Sequence, residues 1–225
     1  MQRRKFMLAR GLLKKGLQLL FFLTIVRLVV LIIIGLRIVN KERLPKSGPA
    51  IVVANHNSHL DTVVIMTLFP IRLLNKLRPV AAEDYFFRDR FLRWFSLNLM
   101  NIIPLQRQNF NSHEDPLTNC SKALGEGEIL IIYPEGSRGE PESLSQFKNG
   151  ISHLAKRHPD IPIYPIFLHG LGKSLPRGEA LLVPFFCDIF IGEPIKWNGN
   201  KNSFMNLLNQ SMKELAERGN FPAWE

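Results

Sequence analysis

Ala50-Ile51-Val52-Val53-Ala54 runs without a break into Asn55-His56-Asn57-Ser58-His59-Leu60-Asp61-Thr62. Five small or β-branched apolar residues read as a strand buried on both faces. The eight residues that follow hold the densest polar cluster of the chain. Polar side chains at the carboxyl end of such a strand stand where layered α/β folds collect their sites. Working outward, further short apolar runs read as buried strands at Val80–Ala82, Ile102–Leu105, Ile129–Tyr133, Ile163–Leu168 and Asp188–Ile191. Helical periodicity lies between and after them, at Arg88–Leu99, His113–Leu124 and Gln146–Arg157. A last amphipathic helix carries Phe204, Leu207, Leu208, Met212 and Leu215 on one face, with Asn202 or Ser203 placed to cap it. Strands alternating with helices define an α/β layer fold.

His56 and Asp61 are five positions apart. On one continuous helix that spacing would put them on different faces. Across a strand–turn–helix corner the chain can bend so that the carboxylate meets the imidazole. Such a pair is a base held in one tautomer, suited to taking a proton from a hydroxyl. Other readings compete. A zinc site could use His56, His59 and Asp61, but no HExxH helix is present. Ser58 could be a nucleophile, but no G-x-S-x-G elbow surrounds it. His56 could also simply cap a helix or pack.

A second cluster, Tyr133-Pro134-Glu135-Gly136-Ser137-Arg138-Gly139, follows the strand Ile129–Tyr133. A glycine-rich turn with an arginine suits an anion, because backbone N–H groups and a guanidinium both hold phosphate oxygens. Taken alone, the same stretch also reads as an ordinary loop with a surface salt bridge. Arg107 stands just past another strand, and Lys148 stands in Phe147-Lys148-Asn149-Gly150 at a helix start. Both have equally plain readings as surface charge.

The chain has 225 residues and a net charge of +10, and all of that excess lies in residues 1–46. The rest is balanced, and no basic stripe marks a nucleic-acid face. Cys120 and Cys187 form no CxxC pair, so a cysteine metal site and a disulfide scaffold are disfavoured, and both read as thiols in a reducing compartment. Leu17–Leu36 is a run of twenty residues interrupted by Gln18, Thr24, Arg27 and Gly35. It could cross a bilayer core of roughly 30 Å. Arg27 in its middle and basic residues on both flanks fit a helix, or helix pair, dipping into one leaflet better than a span. Residues 1–40 therefore read as a membrane anchor and 41–225 as the functional domain, joined through the Pro- and Gly-containing stretch Lys41–Pro49. The aromatic and basic segment around Phe91, Trp94 and Phe95 suits an interfacial patch, although core packing of its apolar face is the commoner outcome.

The order His56-x4-Asp61, Arg107, Pro134-Glu135-Gly136-Ser137-Arg138, Phe147-Lys148-x-Gly150 and Ile161-Pro162-Ile163 resembles the lysophosphatidic acid acyltransferase family, within the glycerophospholipid acyltransferase superfamily. The tail Ile191-Gly192-Glu193-Pro194-Ile195 is similar as well. The resemblance covers about residues 45–195. Tyr133 and Ser137 stand where the family commonly has phenylalanine and threonine. It implies a mixed sheet flanked by helices, behind the N-terminal hydrophobic anchor. It implies transfer of an acyl chain from acyl-CoA or acyl-carrier protein to a lysophospholipid hydroxyl, on the cytoplasmic face of a membrane. The acceptor would be 1-acylglycerol-3-phosphate, with another lysolipid as the rival and a non-catalytic lipid-binding protein as the next. His56 would be the general base and Asp61 its orienting acid. Arg107, Glu135, Gly136, Ser137, Arg138 and Lys148 would bind the acceptor. His59 receives no catalytic role, and no metal, bound cofactor or nucleic acid is expected.

Overall fold

Residues 50–54 lie near the middle of a seven-stranded sheet in the computed structural model. The structure describes residues 2–26, 28, 34–58, 60–86, 89–106, 115–139, 144–174 and 185–219. The strands are β1 (Ile34–Val39), β2 (Ala50–Ala54), β3 (Leu77–Ala82), β4 (Ile103–Leu105), β5 (Ile129–Ile132), β6 (Ile163–His169) and β7 (Phe185–Ile191). Their spatial order is β1-β7-β6-β2-β5-β3-β4. Every neighbouring pair is parallel except β6 with β7, so the sheet is mixed, as the resemblance implied.

The alternation of side chains across the pleat sorts the apolar residues into two layers. Ala50, Val52 and Ala54 of β2, with Ile129 and Ile131 of β5, face one core. That layer is closed by helix α1 (Gln2–Phe21), the following π turn Phe22–Val26, and helix α2 (Leu60–Leu68). Ile51, Val53 and Leu130 face the other core, closed by α4 (Thr118–Gly125), α5 (Gly150–Arg157) and α6 (Lys201–Arg218). Helix α3 (Arg90–Asn98) lies against α1, where the rings of Phe95 and Phe21 meet edge to face at 5.4 Å. The α3 cap is Asp89, whose carboxylate accepts the Leu92 N–H.

Two helix details differ from expectation. The α6 cap is Asn200, whose side chain accepts from Asn202 and Ser203, rather than either of those residues themselves. Leu207 is largely exposed, while Phe204, Leu208, Met212 and Leu215 form the buried stripe. Residues 107–114 lie outside the described residues, so the expected start of a helix at His113 is not addressed; α4 begins at Thr118.

The N-terminal run is described in part, with Arg27 and residues 29–33 outside the described residues. The run Leu17–Leu36 is not one helix. Its last three residues begin β1, which pairs in parallel with β7. Gly35 is poor in a helix but suits this strand: an added Cβ would lie 2.6 Å from the Phe186 ring of the neighbouring strand. The π turn also buries Phe22 and Val26 in the sheet core. Gln18, almost fully buried, donates to the Leu99 carbonyl and accepts from Asn101. Lys14 donates to the Leu97 carbonyl. Strand β1 and Gln18 thus tie described parts of residues 1–40 to the rest of the chain, because the backbone of β1 needs a sheet partner and Gln18 a polar one. Among the described residues, no helix is long and apolar enough to cross a membrane.

Candidate active site

Strands β2 and β5 are adjacent and parallel, with Val53 opposite Ile132. Parallel neighbours release their following loops at the same edge of the sheet. Three residues past that last pair stand His56 on one chain segment and Glu135 on the other. The loops are tied directly, since the Gly139 N–H donates to the His56 carbonyl at 2.9 Å. On the other side, the Asn55 side chain both donates to the Leu168 carbonyl and accepts the Leu168 N–H, at 2.8 and 2.7 Å. An amide side chain thereby extends the β2–β6 ladder past the end of the strand and fixes the backbone that carries His56.

Asp61 sits in the first turn of α2 and is completely buried. Its Oδ2 accepts the Asn57 and Ser58 N–H groups at 2.7 and 2.9 Å, and lies 2.9 Å from His56 Nδ1. The carboxylate thus holds both the corner backbone and the imidazole. A carboxylate is an acceptor only, so Nδ1 carries the proton and Nε2 is the basic nitrogen. The chain reverses between strand and helix so that the five-residue spacing closes a ring no continuous helix would allow.

Tyr133 was absent from the expected site residues, yet it shapes the site. Its ring stacks on His56 with centroids 4.2 Å apart and planes 23° apart. Its hydroxyl bonds to Thr62 Oγ1 at 3.0 Å. Burial raises the Tyr133 pKa well above the phenol range, with the Asp61 charge adding to the effect and the Thr62 bond opposing it. The hydroxyl is therefore a neutral strut between β5 and α2. The signal was present in the sequence as an aromatic residue preceding Pro134-Glu135, but stacking is a tertiary fact.

The remaining expected residues arrange themselves unequally. Glu135 is buried, and burial pushes its carboxyl up to about 7 from an ordinary 4.5. The His56 and Ser145 amides pull the other way, and Asp61 adds to the rise. Gly136 turns the chain with φ +76°, and the Lys148 stem lies where a Cβ would point, with Cδ and Cε 2.9 Å from it. The Lys148 N–H donates to the Pro134 carbonyl at 2.8 Å, which anchors that lysine to the loop. Ser137 is exposed and Arg138 half-buried. Arg107 and His59 lie outside the described residues. Pro162 precedes β6 at the amino end of the parallel strands, where its carbonyl accepts the Ile51 N–H, so that motif supports the sheet from the opposite end.

A cavity of about 600 Å³ opens beside His56. Gly136, Ser137 and Arg138 border it with His56 and Tyr133. The rest of its lining is largely apolar: Val63 from α2, Pro79–Ala82 from β3, Leu92 and Phe95 from α3, then Met100 and Ile102. Sequence periodicity cannot distinguish such wall residues from core. A largely apolar cavity can accept a hydrocarbon chain, and a guanidinium at its border can accept an anion. Among the described residues, no group of three His, Cys, Asp or Glu side chains is placed to hold a metal ion.

Comparison with known proteins gives concordant results. Residues 35–169 match the model of the family described as Acyltransferase. The chain is 30% identical over 178 residues to a chloroplastic 1-acyl-sn-glycerol-3-phosphate acyltransferase of Arabidopsis thaliana, covering 78% of this chain and 47% of that one. It is 26% identical to a probable 1-acyl-sn-glycerol-3-phosphate acyltransferase of Mycoplasma pneumoniae, covering 80% and 69%. The chain spans about half the length of the first plant relatives it matches. The crystal structure of the 1-acyl-sn-glycerophosphate acyltransferase PlsC from Thermotoga maritima superposes with a TM-score of 0.70 at 19% identity, over 91% of this chain and 79% of that one, so the two share the fold.

Proposed function

This chain belongs to the Acyltransferase family, and from that membership and the site geometry we propose that it acylates a lysophospholipid hydroxyl, with 1-acylglycerol-3-phosphate as acceptor and phosphatidic acid as product. The observation that carries the reading is a His–Asp pair at the border of an apolar cavity, beside a glycine-turn bearing an arginine. The donor is a thioester, acyl-CoA or acyl-carrier protein.

His56 Nε2 takes the proton of the acceptor hydroxyl as its oxygen attacks the thioester carbonyl carbon. The C–O bond forms and the carbonyl becomes a tetrahedral oxyanion. Collapse breaks the C–S bond, and the departing sulfur takes the proton back from the imidazolium. An ester and a free thiol result, and His56 returns to its starting state. Asp61 keeps the imidazole oriented and stabilises its transient positive charge. No acyl-enzyme is needed. Arg138, the Gly136–Ser137 turn and Lys148 bind the acceptor phosphate, with Arg107 assigned to the same task. Glu135, buried in the same loop, is assigned to the acceptor site with them. The apolar cavity receives a hydrocarbon chain.

We assign the protein to a membrane surface on its cytoplasmic face. The excess of basic residues in 1–46 favours anionic headgroups at about 1 kcal/mol per Lys or Arg near the surface. Leu20, Leu23, Ile25 and Leu28 expose apolar side chains at the end of α1 and after it.

The test measures thiol release from acyl-CoA in the presence of lysophosphatidic acid, with purified protein. His56→Ala should lower turnover about 10²–10⁴-fold, and Arg138→Ala should chiefly raise KM for phosphate-bearing acceptors. Undiminished turnover in folded His56→Ala would discard the mechanism. Saturation of a phosphate-free lysolipid at equal or lower concentration would discard the acceptor.

A further inference from the structure

We propose that Tyr133 is a positioning residue for the reaction: its ring face stabilises the positive charge that His56 takes up, and its hydroxyl, through Thr62, holds that face in place. The proposal deepens the acyl-transfer reading and rests on it for the role of His56 as base. Tyr133 directly follows β5, and its ring lies nearly parallel to the imidazole, with centroids 4.2 Å apart and planes 23° apart. Both residues border the cavity, and Tyr133 also packs against the core layer that α2 closes. Packing accounts for an aromatic residue here, but not for a flat stack on the base. The Tyr133 hydroxyl and Thr62 Oγ1 share a hydrogen bond at 3.0 Å. Thr62 stands next to Asp61 in the first turn of α2. One helical turn therefore fixes the imidazole twice. Asp61 Oδ2 holds its Nδ1 edge at 2.9 Å, and Thr62, by way of Tyr133, governs its face.

The two contacts act on different parts of one charge. The carboxylate meets the ring edge, and the aromatic ring meets its face. An aromatic face is the negative part of the ring quadrupole, and a cation within about 6 Å of the centroid is drawn to it. A neutral imidazole gains little from that field, whereas an imidazolium gains much more. The contact therefore strengthens as the proton arrives from the acceptor hydroxyl, which favours the transition state over the ground state. Tyr133 keeps its own proton, because burial holds the phenol well above its usual range, with the Asp61 charge acting in the same direction and the Thr62 bond opposing. The ring thus serves as a neutral face and not as a second base. Phenylalanine would offer the same face, so the part played by the hydroxyl is geometric: it ties the far end of the ring to α2. Arg138 and Asp84 border the same cavity, and Glu135 is buried in the loop after Tyr133. Those charged groups stay constant when residue 133 alone is varied, so a change along such a series belongs to the ring.

The experiment uses the full chain with Tyr133→Phe as reference, then mono-, di- and trifluorinated phenylalanine at the same position. These side chains are nearly equal in shape, so folding is preserved, but each fluorine weakens the negative face. The kcat for thiol release should fall stepwise, by about twofold to thirtyfold in all, with KM for the acceptor little changed. A ring that only fills space would give no such gradient. Diethyl pyrocarbonate supplies a readout without turnover. Attack of the imidazole on that reagent builds the same positive charge, so carbethoxylation of His56, followed by mass spectrometry of its peptide, should slow along the same series. Tyr133→Phe and Thr62→Val, singly and together, test the tether. Each should lower kcat about twofold to tenfold, and the double variant should fall no further than the larger single effect. A carbethoxylation rate or a kcat that stays flat across the fluorinated series would overturn the proposal, and additive losses in the double variant would overturn the link through Thr62. A parent protein that releases no thiol would remove the acyl-transfer reading, and the carbethoxylation series would then decide the ring contact by itself.

Discussion

Replacing Asp61 by asparagine separates what its carboxylate does for the fold from what it does for chemistry. Asn has the same shape, so an oxygen can remain where Oδ2 accepts from His56, Asn57 and Ser58 at 2.7–2.9 Å. Each bond loses its charge, a change of about 1 kcal/mol per bond. The penalty of burying a carboxylate disappears in the same substitution, so the two offset each other and the net loss in stability is within about 2 kcal/mol. The imidazolium formed during transfer has no such compensation. Its attraction to a carboxylate about 4 Å from the charge centre is worth about 4 kcal/mol at the effective dielectric of a protein surface. That corresponds to a fall of about a thousandfold in kcat, with KM for the acceptor little changed. Thermal melting and thiol-release kinetics on one preparation give both numbers. A folded Asp61→Asn protein whose kcat lies within tenfold of the parent would refute the argument that this charge stabilises a protonated His56.

Two further substitutions probe the loop after β5. The Glu135 carboxyl has a folded pKa of about 7 against 4.5, so the native state holds its proton more tightly than the unfolded chain. Its stabilising contribution is complete below pH 4.5 and is lost as pH rises through 7. Glu135→Gln should thus melt progressively higher relative to the parent between pH 5 and about 8, and a gap in Tm that stays flat with pH would contradict the raised carboxyl. Gly136→Ala places a Cβ in a backbone region with φ +76° and against the Lys148 stem. The left-handed conformation alone costs about 1–2 kcal/mol, visible in urea melts. The displaced Ser137–Arg138 segment should raise KM for a phosphate-bearing acceptor more than it lowers kcat. Equal stability and kinetics would mean that the turn is not held as described.

Local order was readable residue by residue. Ala50–Ala54, Ile129–Tyr133 and Ile163–Leu168 read as strands because buried strands are mostly apolar and favour β-branching, and β2, β5 and β6 lie there. His56 with Asp61, and Glu135 to Arg138, were recognisable because polar residues abruptly follow such strands. What the one-dimensional chain determined, then, was which polar side chains sit on loops leaving strands. Only tertiary structure decided that β2 and β5 are neighbours and parallel, which brings residues 56 and 135 together across a sequence gap that no local periodicity spans. It also decided that Tyr133 lies flat on His56, and that Leu92 and Phe95 wall a cavity while Phe91 and Trp94 face outward. The strand β1 was hidden for the same reason. Ile34-Gly35-Leu36 continues an apolar run that is equally compatible with a helix, and hydrophobicity alone carries no record of partners. An unpaired backbone takes the hydrogen bonds within reach, and β7 supplies them only after the chain has folded.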